Sequence, residues 1–415
     1  MSIAHLFPDL HPAFTGQEAV VESNRCLFCY DAPCTAACPT HIDVPRFIKK
    51  ISTGNLRGSA LTILDANLLG SSCSRVCPVD VLCEGACVMH RYNREPIEIG
   101  RLQRHAMEMF YQSGDPRLPG LQQPPVQLRV ACIGGGPASL SCAGELARRG
   151  HLVTVYESKP LPGGLNTYGV AEYKLRMPDA LREVEFIESL GVEIICNESV
   201  DTNRLREIGD EHHAVFLGLG LGRMDPLGIP GEDHPNVIDA LRYIAGYKTT
   251  PPAPTGNRVV VIGAGNTAID AANAARRLGA AEVSMLYRRT VNEMSAFVFE
   301  YEHAKQEGVA FRWQVKPLRI VSDKAADSGR LTGIECIRIS DSEVFTIPCD
   351  LVIPAIGQSK TSELLASVAG NPKFFAGGDL TNGGREVVDA VADGKRAAIA
   401  IIEKFATAIP GATHA

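Results

Sequence analysis

The stretch VQLRVACIGGGPAS, residues 126–139, decides the fold of this chain. Its apolar first half predicts a β-strand that ends at Ile133 and enters a turn of small residues. A helical pattern then runs to Gly150, and a second apolar run over residues 151–157 predicts the next strand. Strand, glycine-rich turn, helix and strand in this order form a βαβ unit, which predicts a parallel sheet with helices against it.

The small residues of this turn have separate tasks in a dinucleotide site. Gly134 permits the tight turn, and Gly136 lets the backbone approach a pyrophosphate held at the helix N-terminus. Ser139 stands where a third glycine is usual and is still small. Glu157 ends the second strand, where a carboxylate accepts a hydrogen bond from a ribose hydroxyl. Because strand, helix and terminal acid are all in place, the motif is a specific one.

A second βαβ unit begins at Arg258. An apolar strand over residues 259–262 enters GAGNTA, residues 263–268, and a helix then runs to Gly279. A further strand over residues 283–287 completes the unit. We therefore expect two dinucleotide sites in one chain.

The second unit ends on Arg288 and Arg289 instead of an acid. An acid would repel a 2′-phosphate, whereas two guanidinium groups would hold one through charge-assisted hydrogen bonds. This pattern favours NADPH over NADH at the second site. The alternative is a solvated basic turn without a ligand.

Later apolar runs predict strands that return to the two sheets. The runs 216–222 and 351–357 each end in glycine, as expected where a chain crosses between two nucleotide domains. The motif FFAGGD, residues 374–379, precedes a glycine-rich turn and a helix over about residues 386–405. Asp379 is placed to hydrogen-bond a cofactor hydroxyl, and the positive N-terminus of the last helix would stabilise a reduced, anionic flavin. This ending is typical of flavoproteins with two dinucleotide domains.

Eight of the thirteen cysteines form two blocks near the start of the chain, C-x2-C-x4-C-x3-C-P and C-x3-C-P-x4-C-x3-C. Their members are Cys26, Cys29, Cys34 and Cys38, followed by Cys73, Cys77, Cys83 and Cys87. A cysteine followed by proline marks bacterial ferredoxin runs, in which the fourth cysteine binds the other cluster. The pattern favours iron–sulfur clusters, and the alternatives are a zinc site and a disulfide framework.

Spacing alone does not show whether two further residues, Cys73 and Gln103, bind a cluster. Cys73 has no proline after it, and the alternative to a ligand is a small buried hydrophobe. Gln103 follows Cys87 by sixteen residues, at the start of a helix that the stretch 97–106 predicts. From its spacing alone, Gln103 is expected at the surface.

Composition and charge narrow the class of protein. The net charge of −6 and pI of about 6.0 give no electrostatic reason to expect nucleic acid as a partner. The sequence has neither an apolar run near the length of a membrane span nor a cationic stretch followed by an apolar segment at its start. We therefore expect a cytoplasmic protein without a membrane partner, and in that reducing compartment clustered thiols bind metal more often than they form disulfides.

Two proline-rich stretches, 115–125 and 249–256, predict the domain boundaries. The expected fold class is α/β, with a small helical N-terminal iron–sulfur domain followed by two nested Rossmann-like domains. The expected bounds are 1–124 for the helical domain with two [4Fe–4S] clusters, 125–254 and 358–415 for the FAD-binding domain, and 255–357 for the inserted NAD(P)H-binding domain.

The order of cysteine domain, GGGPAS, GAGNTA and AGGD resembles a known electron-input module. That module is shared by dihydropyrimidine dehydrogenase and the small subunit of glutamate synthase. The resemblance covers essentially the whole chain and is closest to the flavin-bearing subunit of bacterial two-subunit dihydropyrimidine dehydrogenase. It is carried by RCLFCYDAPCTAACPTHIDVPRFI (25–48), CPVDVLCEGAC (77–87) and IEIGRLQ (97–103).

The resemblance implies ligands for each cofactor. One [4Fe–4S] cluster falls on Cys26, Cys29, Cys34 and Cys87, and the second on Cys38, Cys77, Cys83 and Gln103, which leaves Cys73 unused. FAD contacts fall on Gly134, Gly136, Ala138, Ser139, Glu157, Gly164, Leu165, Lys174, Gly378, Asp379 and Val387. Nucleotide contacts fall on Gly265, Asn266, Thr267, Ala268, Arg288, Arg289 and Gly357.

Three positions depart from the pattern of the resembling enzymes. Lys174 stands where the eukaryotic enzyme has arginine, and Asn266 stands where aspartate is common. Ser295 replaces a third phosphate-binding arginine, so NADH is possible beside NADPH. The glutamine at position 103 belongs to the dehydrogenase branch, because the glutamate synthase branch has an acidic residue there.

The resemblance implies an electron-input role. NAD(P)H at residues 263–289 would reduce FAD at residues 134–165 and 378–387, and electrons would leave through the two clusters. That step needs no general acid or base, so we name no catalytic residue. The sequence has no pattern for a barrel or an FMN site, so the implied partner is an FMN- and iron–sulfur-containing subunit that reduces uracil or thymine, in a hetero-oligomer, expected to be a heterotetramer.

Three alternatives to this role remain at the level of the sequence. The chain could serve glutamate synthase or another acceptor as its input subunit. It could be a stand-alone NAD(P)H:acceptor reductase. In a different class, its cysteines could bind zinc in an interaction module on a flavoprotein scaffold without turnover.

Overall fold

A computed structural model describes residues 4–119, 124, 127–249, 256–323, 329–360 and 363–406. The chain forms two compact units in it. The main unit comprises Asp9–Thr167, Lys174–Leu221 and Lys360–Ala415. The inserted unit comprises Met1–Pro8, Tyr168–Tyr173 and Gly222–Ser359.

The helices and strands are numbered in chain order within the described residues. The α-helices are α1 (Gly16–Ser23), α2 (Pro33–Ala37), α3 (Val44–Ser52), α4 (Leu56–Ala66), α5 (Gly70–Val76), α6 (Ile99–Gln112), α7 (Pro137–Ala147), α8 (Leu165–Tyr168), α9 (Met177–Glu188), α10 (Thr202–Glu211), α11 (Ala240–Thr249), α12 (Asn266–Arg277), α13 (Val298–Gln306), α14 (Glu363–Ser367), α15 (Asp379–Asn382) and α16 (Val387–Ala406). The strands are β1 (Arg129–Ile133), β2 (Leu152–Tyr156), β3 (Val192–Ile195), β4 (Ala214–Leu217), β5 (Arg258–Ile262), β6 (Glu282–Tyr287), β7 (Ala310–Trp313), β8 (Val315–Ser322), β9 (Leu331–Arg338), β10 (Val344–Pro348), β11 (Leu351–Pro354) and β12 (Phe374–Ala376).

The main unit begins with the helices α1 to α6, three of which start at a side-chain cap. Thr15 and Glu18 form a reciprocal capping box at α1, while Asp43 caps α3 and Asn55 caps α4. The apolar faces of α3, α4 and α6 are buried together. This core includes Phe47, Ile48, Ile51, Ile63, Leu64, Leu102, Met107 and Phe110, each at most 1% exposed. The cysteine blocks therefore sit on a packed helical domain.

A five-stranded parallel sheet follows in the main unit, in the order β12-β4-β1-β2-β3. Its central strands are buried on both faces, as expected of a parallel sheet covered by helices. Helices α7 and α16 approach closely over one face, where the Ser141 hydroxyl donates to the Val391 carbonyl at 2.8 Å. A side chain at Gly394 would meet the Ala138 carbonyl, so this contact requires glycine.

The inserted unit carries a second parallel sheet, in the order β11-β5-β6-β7. Strands β8, β9 and β10 form a separate antiparallel sheet in the same unit. The alanine-rich helix α12 packs on the parallel sheet, with Ala268, Ala271, Ala272 and Ala275 fully buried. Small side chains let this helix lie close to the strands.

The predicted α/β class and the two βαβ units are confirmed. Strand β1 ends at Ile133 as predicted, and α7 ends at Ala147, three residues before the expected Gly150. The short helix α15 begins at Asp379, the last residue of FFAGGD, and the predicted glycine-rich turn follows it at Gly383 and Gly384, both with positive φ. Val126, most of the stretch 249–256 and residues 120–123 and 125 of the first proline-rich stretch lie outside the described residues. Within the described part of the chain, no helix has the length and apolar character needed to span a membrane.

Candidate functional site

The first glycine-rich turn forms a cradle at the start of α7. Gly136 precedes that helix, and Gly164 lies directly against it. Gly164 has a φ of +57°, and a Cβ atom there would lie 2.7 Å from the Gly136 Cα atom. Since only glycine tolerates both conditions, the two backbones lie in direct contact at the helix N-terminus, the kind of site that binds a pyrophosphate.

Ala138 and Ser139 pack against glycines from other parts of the main unit. A Cβ atom at Gly378 would lie 2.9 Å from the Ala138 Cβ atom, and one at Gly218 would lie 2.2 Å from the Ser139 hydroxyl oxygen. The Ser139 hydroxyl is buried and has no hydrogen-bond partner among the residues that the structure describes. Gly218 thus provides the space that serine takes in place of the third glycine.

Glu157 closes the cradle at the end of β2. Its carboxylate accepts from the Gly135 amide at 2.7 Å and from the Lys159 amide at 2.8 Å, and the residue is only 6% exposed. The carboxylate therefore lies beside the glycine turn, where the motif requires an acid. Its contact with a ribose stays a prediction.

The FFAGGD motif brings a second set of polar groups to the main unit. The Gly378 amide donates to Asp393 at 3.0 Å, and the Arg385 amide donates to Asp379 at 3.1 Å. Burial raises the pKa of Asp379, and the charges of Asp389 and Asp393 add to that effect. Asp393, which sequence patterns did not single out, thus holds this loop from α16.

Lys174, Leu165 and Val387 complete the set of predicted FAD contacts. Burial and the charge of Asp389 raise the pKa of Glu386, and the positive charge of Lys174 opposes that shift. Leu165 follows Gly164 and is 39% exposed, which leaves an apolar surface next to the glycine pair. Val387 begins α16. Glycine cradle, terminal acid and helix start together fit a flavin dinucleotide.

The second glycine-rich turn has the same construction in the inserted unit. Gly265 precedes α12, and a Cβ atom at Gly263 would lie 2.2 Å from the Ala355 carbonyl oxygen. Asn266 accepts from the Phe297 amide through its side-chain oxygen at 3.1 Å. Ala268 is fully buried under the helix, while Thr267 is half-buried at its first turn.

Arg288 and Arg289 are exposed directly after β6. Ser295, at the position of the missing third arginine, lies 3.5 Å from the Ala264 carbonyl oxygen beside the glycine turn. The Gly357 carbonyl accepts from the Asp225 amide at 2.9 Å, near the end of β11. The arginines are placed at the strand end where a 2′-phosphate is read, and their contact with it stays a prediction.

Four of the cysteines line one cavity in the helical domain. They are Cys26, Cys29, Cys34 and Cys87, the set that the resemblance assigns to one cluster. The remaining walls are mostly apolar and include Val44, Ile48, Met89, Ile97 and Ile99. Burial, with smaller contributions from Cys26 and Cys87, raises the pKa of the Cys34 thiol to about 12. Thiols in such a setting become thiolates only with a bound cation, which fits an iron–sulfur cluster.

Cys38, Cys77 and Cys83 form the second group. A hydrogen bond with Cys73 and burial raise the pKa of the Cys77 thiol, and Cys83 and Cys38 raise it further. Burial likewise raises the pKa of Cys83, with contributions from Glu84, Cys38 and Cys34 of the first group. Cys38 thus acts electrostatically on both Cys77 and Cys83, as expected of thiols in one part of the domain. Cys73 is also buried beside them, where it accepts from the Asn67 side chain at 3.2 Å.

Gln103 is buried, so the surface position expected from its spacing was wrong. It is 7% exposed, and its side-chain amide donates to the Gly70 carbonyl at 2.7 Å. This bond directs the nitrogen to α5 and leaves the side-chain oxygen for another partner. The helical period could have predicted this burial, because Gln103 lies on the same face of α6 as the buried Ile99 and Met107.

A second bond fastens the later cysteine block to the helix of Gln103. The Gly100 amide, in the first turn of α6, donates to the Glu84 carboxylate at 2.9 Å. Glu84 follows Cys83 directly.

Among the described residues, no three His, Cys, Asp or Glu side chains are close enough together to hold a single metal ion.

Family models match both parts of the chain. Residues 3–115 match the model described as dihydropyrimidine dehydrogenase domain II with a 4Fe-4S cluster. Residues 128–394 match the pyridine nucleotide–disulphide oxidoreductase model. The clusters expected from the cysteine pattern are thereby confirmed, as are FAD and a nicotinamide nucleotide as cofactors.

Curated relatives align over nearly the full length. The NAD-dependent dihydropyrimidine dehydrogenase subunit PreT of Escherichia coli is 32% identical over 95% of this chain and 96% of its own length. The glutamate synthase [NADPH] small chain of the same species is 31% identical over 95% and 93%. The NADPH-Fe(3+) oxidoreductase subunit beta of Geobacter sulfurreducens is 35% identical over 86% of this chain but only 55% of its own length.

Solved structures share the fold of the two dinucleotide domains. Lactococcus lactis thioredoxin reductase superposes with a TM-score of 0.55 at 21% identity and covers 68% of this chain and 100% of its own. Mycobacterium tuberculosis FprA in complex with NADPH gives a TM-score of 0.54 at 19% identity, over 68% of this chain and 86% of its own. At these identities the likeness concerns the fold alone.

The glycine cradles, the grouped thiols and the matches over both parts of the chain agree. The chain belongs to the family of NAD(P)H-dependent FAD and iron–sulfur oxidoreductase subunits that includes the PreT subunit of dihydropyrimidine dehydrogenase and the glutamate synthase small chain.

Proposed function

We propose that this chain is the electron-input subunit of a dihydropyrimidine dehydrogenase. In this role it oxidises NAD(P)H and passes electrons to an FMN-bearing partner that reduces uracil or thymine to the 5,6-dihydropyrimidine. The observation that carries the proposal is Gln103, which is buried on α6 with its amide nitrogen bonded to Gly70. A buried glutamine bonded to α5, the helix that ends at Cys77, matches the dehydrogenase branch of the resemblance, where glutamate synthase chains have an acid.

The proposed ligand sets follow the grouping of the thiols. Cys26, Cys29, Cys34 and Cys87 line one cavity and hold the first cluster. Cys38, Cys77, Cys83 and Gln103 hold the second. Because glutamine replaces an anionic thiolate, the second site carries one negative charge fewer. This difference would change the reduction potential of a cluster bound there. Cys73 remains a buried thiol that bonds with Asn67 and Cys77.

In this proposal each unit binds a different nucleotide at its glycine-rich turn. The cradle of Gly136 and Gly164 with Glu157 binds FAD, and the turn before α12 with Arg288 and Arg289 binds NAD(P)H. When bound, FAD supplies the conversion between a two-electron hydride donor and one-electron acceptors. The protein's own share is to position the groups and exclude water, so none of its side chains acts as a general acid or base.

The partner follows from the chemistry that this chain supplies. The relatives PreT and the glutamate synthase small chain are named as a subunit and a small chain, so we infer that this chain also acts with a partner. We propose that the partner here is an FMN- and iron–sulfur-containing subunit with the pyrimidine site, in a hetero-oligomer.

Glutamate synthase is the second candidate, because its small chain aligns with this chain almost as completely as PreT does. The two candidates differ in the acceptor. One mixture combines the chain with an FMN-bearing pyrimidine-reducing subunit and uracil, and the other combines it with a glutamate synthase large subunit, glutamine and 2-oxoglutarate. NADH and NADPH oxidation are followed in both.

We expect nucleotide consumption that depends on uracil in the first mixture and none that depends on 2-oxoglutarate in the second. Consumption only in the second mixture would reassign the chain to glutamate synthase. Consumption in neither, with dye reduction intact, would indicate a stand-alone reductase or another acceptor.

A further inference from the structure

A fully buried carboxylate of the FAD-binding part faces the first turn of α5. Glu183 is 0% exposed and lies on α9, in the connection between β2 and β3 of the parallel sheet. The Ser71 amide donates to one of its oxygens at 2.7 Å, and the Ser72 amide donates to the other at 2.9 Å. The Ser72 hydroxyl donates to the second oxygen as well. These amides would otherwise be unpaired at the helix start, so Glu183 fixes the position of α5.

The helix that Glu183 fixes contacts two of the proposed ligands of the second cluster, one at each of its ends. At its far end, the Cys77 amide donates to the Cys73 carbonyl at 3.1 Å, so Cys77 is the residue that caps α5. At its near end, the Gly70 carbonyl accepts from the Gln103 amide at 2.7 Å. A shift of α5 would therefore move Cys77 directly and release the bond that orients Gln103.

Further contacts connect α5, α6 and α9. Arg75 donates to the Ser71 hydroxyl oxygen at 2.8 Å and to Glu108 of α6 at 2.8 Å. Phe110 of α6 packs edge-on against Phe186 of α9, with ring centroids 5.9 Å apart. The helix that holds Gln103 is thus held against the same element as α5.

We propose that Glu183 is a positioning residue for the second cluster. Through α5 it sets the places of Cys77 and Gln103, so that a helix of the FAD-binding part aligns ligands in the iron–sulfur part. This inference rests on the ligand set given under the proposed function. It extends that function by assigning a residue that contacts neither cluster nor flavin to the alignment of the electron route.

The test compares Glu183→Gln with Glu185→Gln, an exposed glutamate two residues away on the same helix. In Glu183→Gln one acceptor oxygen becomes an N–H donor that faces other donors, so α5 loses part of its anchor. Both variants and Gln103→Ala are purified anaerobically as full-length chains. Iron per FAD, the EPR spectra of the reduced protein and the midpoint potentials are measured.

We expect Glu183→Gln to change the same EPR signal that Gln103→Ala changes, by a shift in line shape and potential or by loss of about half of the iron. The other cluster signal and the FAD content stay as in the wild type, and Glu185→Gln matches the wild type throughout. If Glu183→Gln does not fold, Ser72→Ala removes only the hydroxyl donor and should produce a smaller change in the same signal.

The possible failures are distinguishable. If Gln103→Ala changes a signal and neither Glu183→Gln nor Ser72→Ala does, the positioning role is overturned while the ligand set stands. If Gln103→Ala leaves both signals and the iron content unchanged, the ligand set is wrong and the inference falls with it. The pyrimidine assignment is decided separately, by the acceptor assay.

Discussion

At the scale of the residue, the glycine pair of the first cradle is a tightly constrained contact. Gly164→Ala would place a Cβ atom 2.7 Å from the Gly136 Cα atom at a φ of +57°. We expect this variant to be purified with less than half of the wild-type FAD, besides about 1–2 kcal/mol lost to the left-handed backbone. The measurement is the ratio of flavin to protein absorbance, together with thermal unfolding.

Gly191→Ala is the matched control for that prediction. Gly191 also has a positive φ, +99°, but no atom lies within 4 Å of a Cβ built there. We expect a similar loss of stability with normal FAD content. Equal FAD loss in both variants would show that backbone strain, and not the shape of the cradle, limits binding.

A second prediction at this scale concerns Glu183. Burial raises the pKa of its carboxyl from 4.5 to about 7, although Ser72, Ser71 and Arg75 oppose the shift. Between these values the folded protein holds a proton that the unfolded chain has lost, so stability falls as pH rises. The fall is ~1.4 kcal/mol for each pH unit in the window, and it ends above pH 7.

The check is the unfolding temperature of the wild type minus that of Glu183→Gln, measured across this window. We expect the difference to decline up to about pH 7 and then level. The same comparison with Glu185→Gln should be flat. A difference that rises with pH would mean that the folded carboxyl has a low pKa and contradict the assignment.

At the scale of the element, we expect the turn after β6 to determine the choice between NADPH and NADH. Arg288→Ala with Arg289→Ala should raise the KM for NADPH about tenfold or more, because charged hydrogen bonds to a 2′-phosphate are lost. The KM for NADH should change little. Dye-coupled oxidation of each nucleotide measures both values.

Arg319→Ala serves as the control for this pair, since Arg319 is an exposed arginine on β8 that is paired with Glu335. It should leave both KM values unchanged. If the double variant also leaves them unchanged, the two arginines form a solvated turn and do not read the phosphate.

Some of the helices and strands could be predicted from the sequence, and others could not. Both βαβ units were predictable because strand period, glycine turns and terminal residues all lie within one local segment. The burial of Gln103 was missed because spacing from Cys87 says nothing about which helix face is packed, although Ile99 and Met107 marked that face. Helix α15 was not predicted, because four residues between two pairs of glycines carry little helical signal.

Contacts between distant segments could not be predicted at all. Glu183 and Ser72 are separated by more than a hundred residues, and no local pattern links them. No local pattern predicts that Asp393 supports the FFAGGD loop. The same holds for the space that Gly218 leaves for Ser139. Such contacts arise from the packing of whole elements, which the order of motifs alone does not specify.

At the scale of the whole molecule, the chain combines a part whose cofactors accept a hydride with a part whose clusters accept single electrons. The family models assign 4Fe-4S chemistry to residues 3–115 and nucleotide chemistry to residues 128–394. A chain with both kinds of group stores more electrons than one nucleotide delivers. That capacity is the physical basis for proposing it as a conduit to a partner subunit.

An anaerobic reductive titration of the isolated chain tests this conduit most directly. The flavin and cluster absorbance bands and the EPR signals are followed as NADPH or NADH is added. The account predicts an uptake of about four electrons per chain, two by FAD and one by each cluster, with two distinct cluster signals and about eight irons per FAD. Uptake of only two electrons, with zinc in place of iron and no cluster signal, would contradict it.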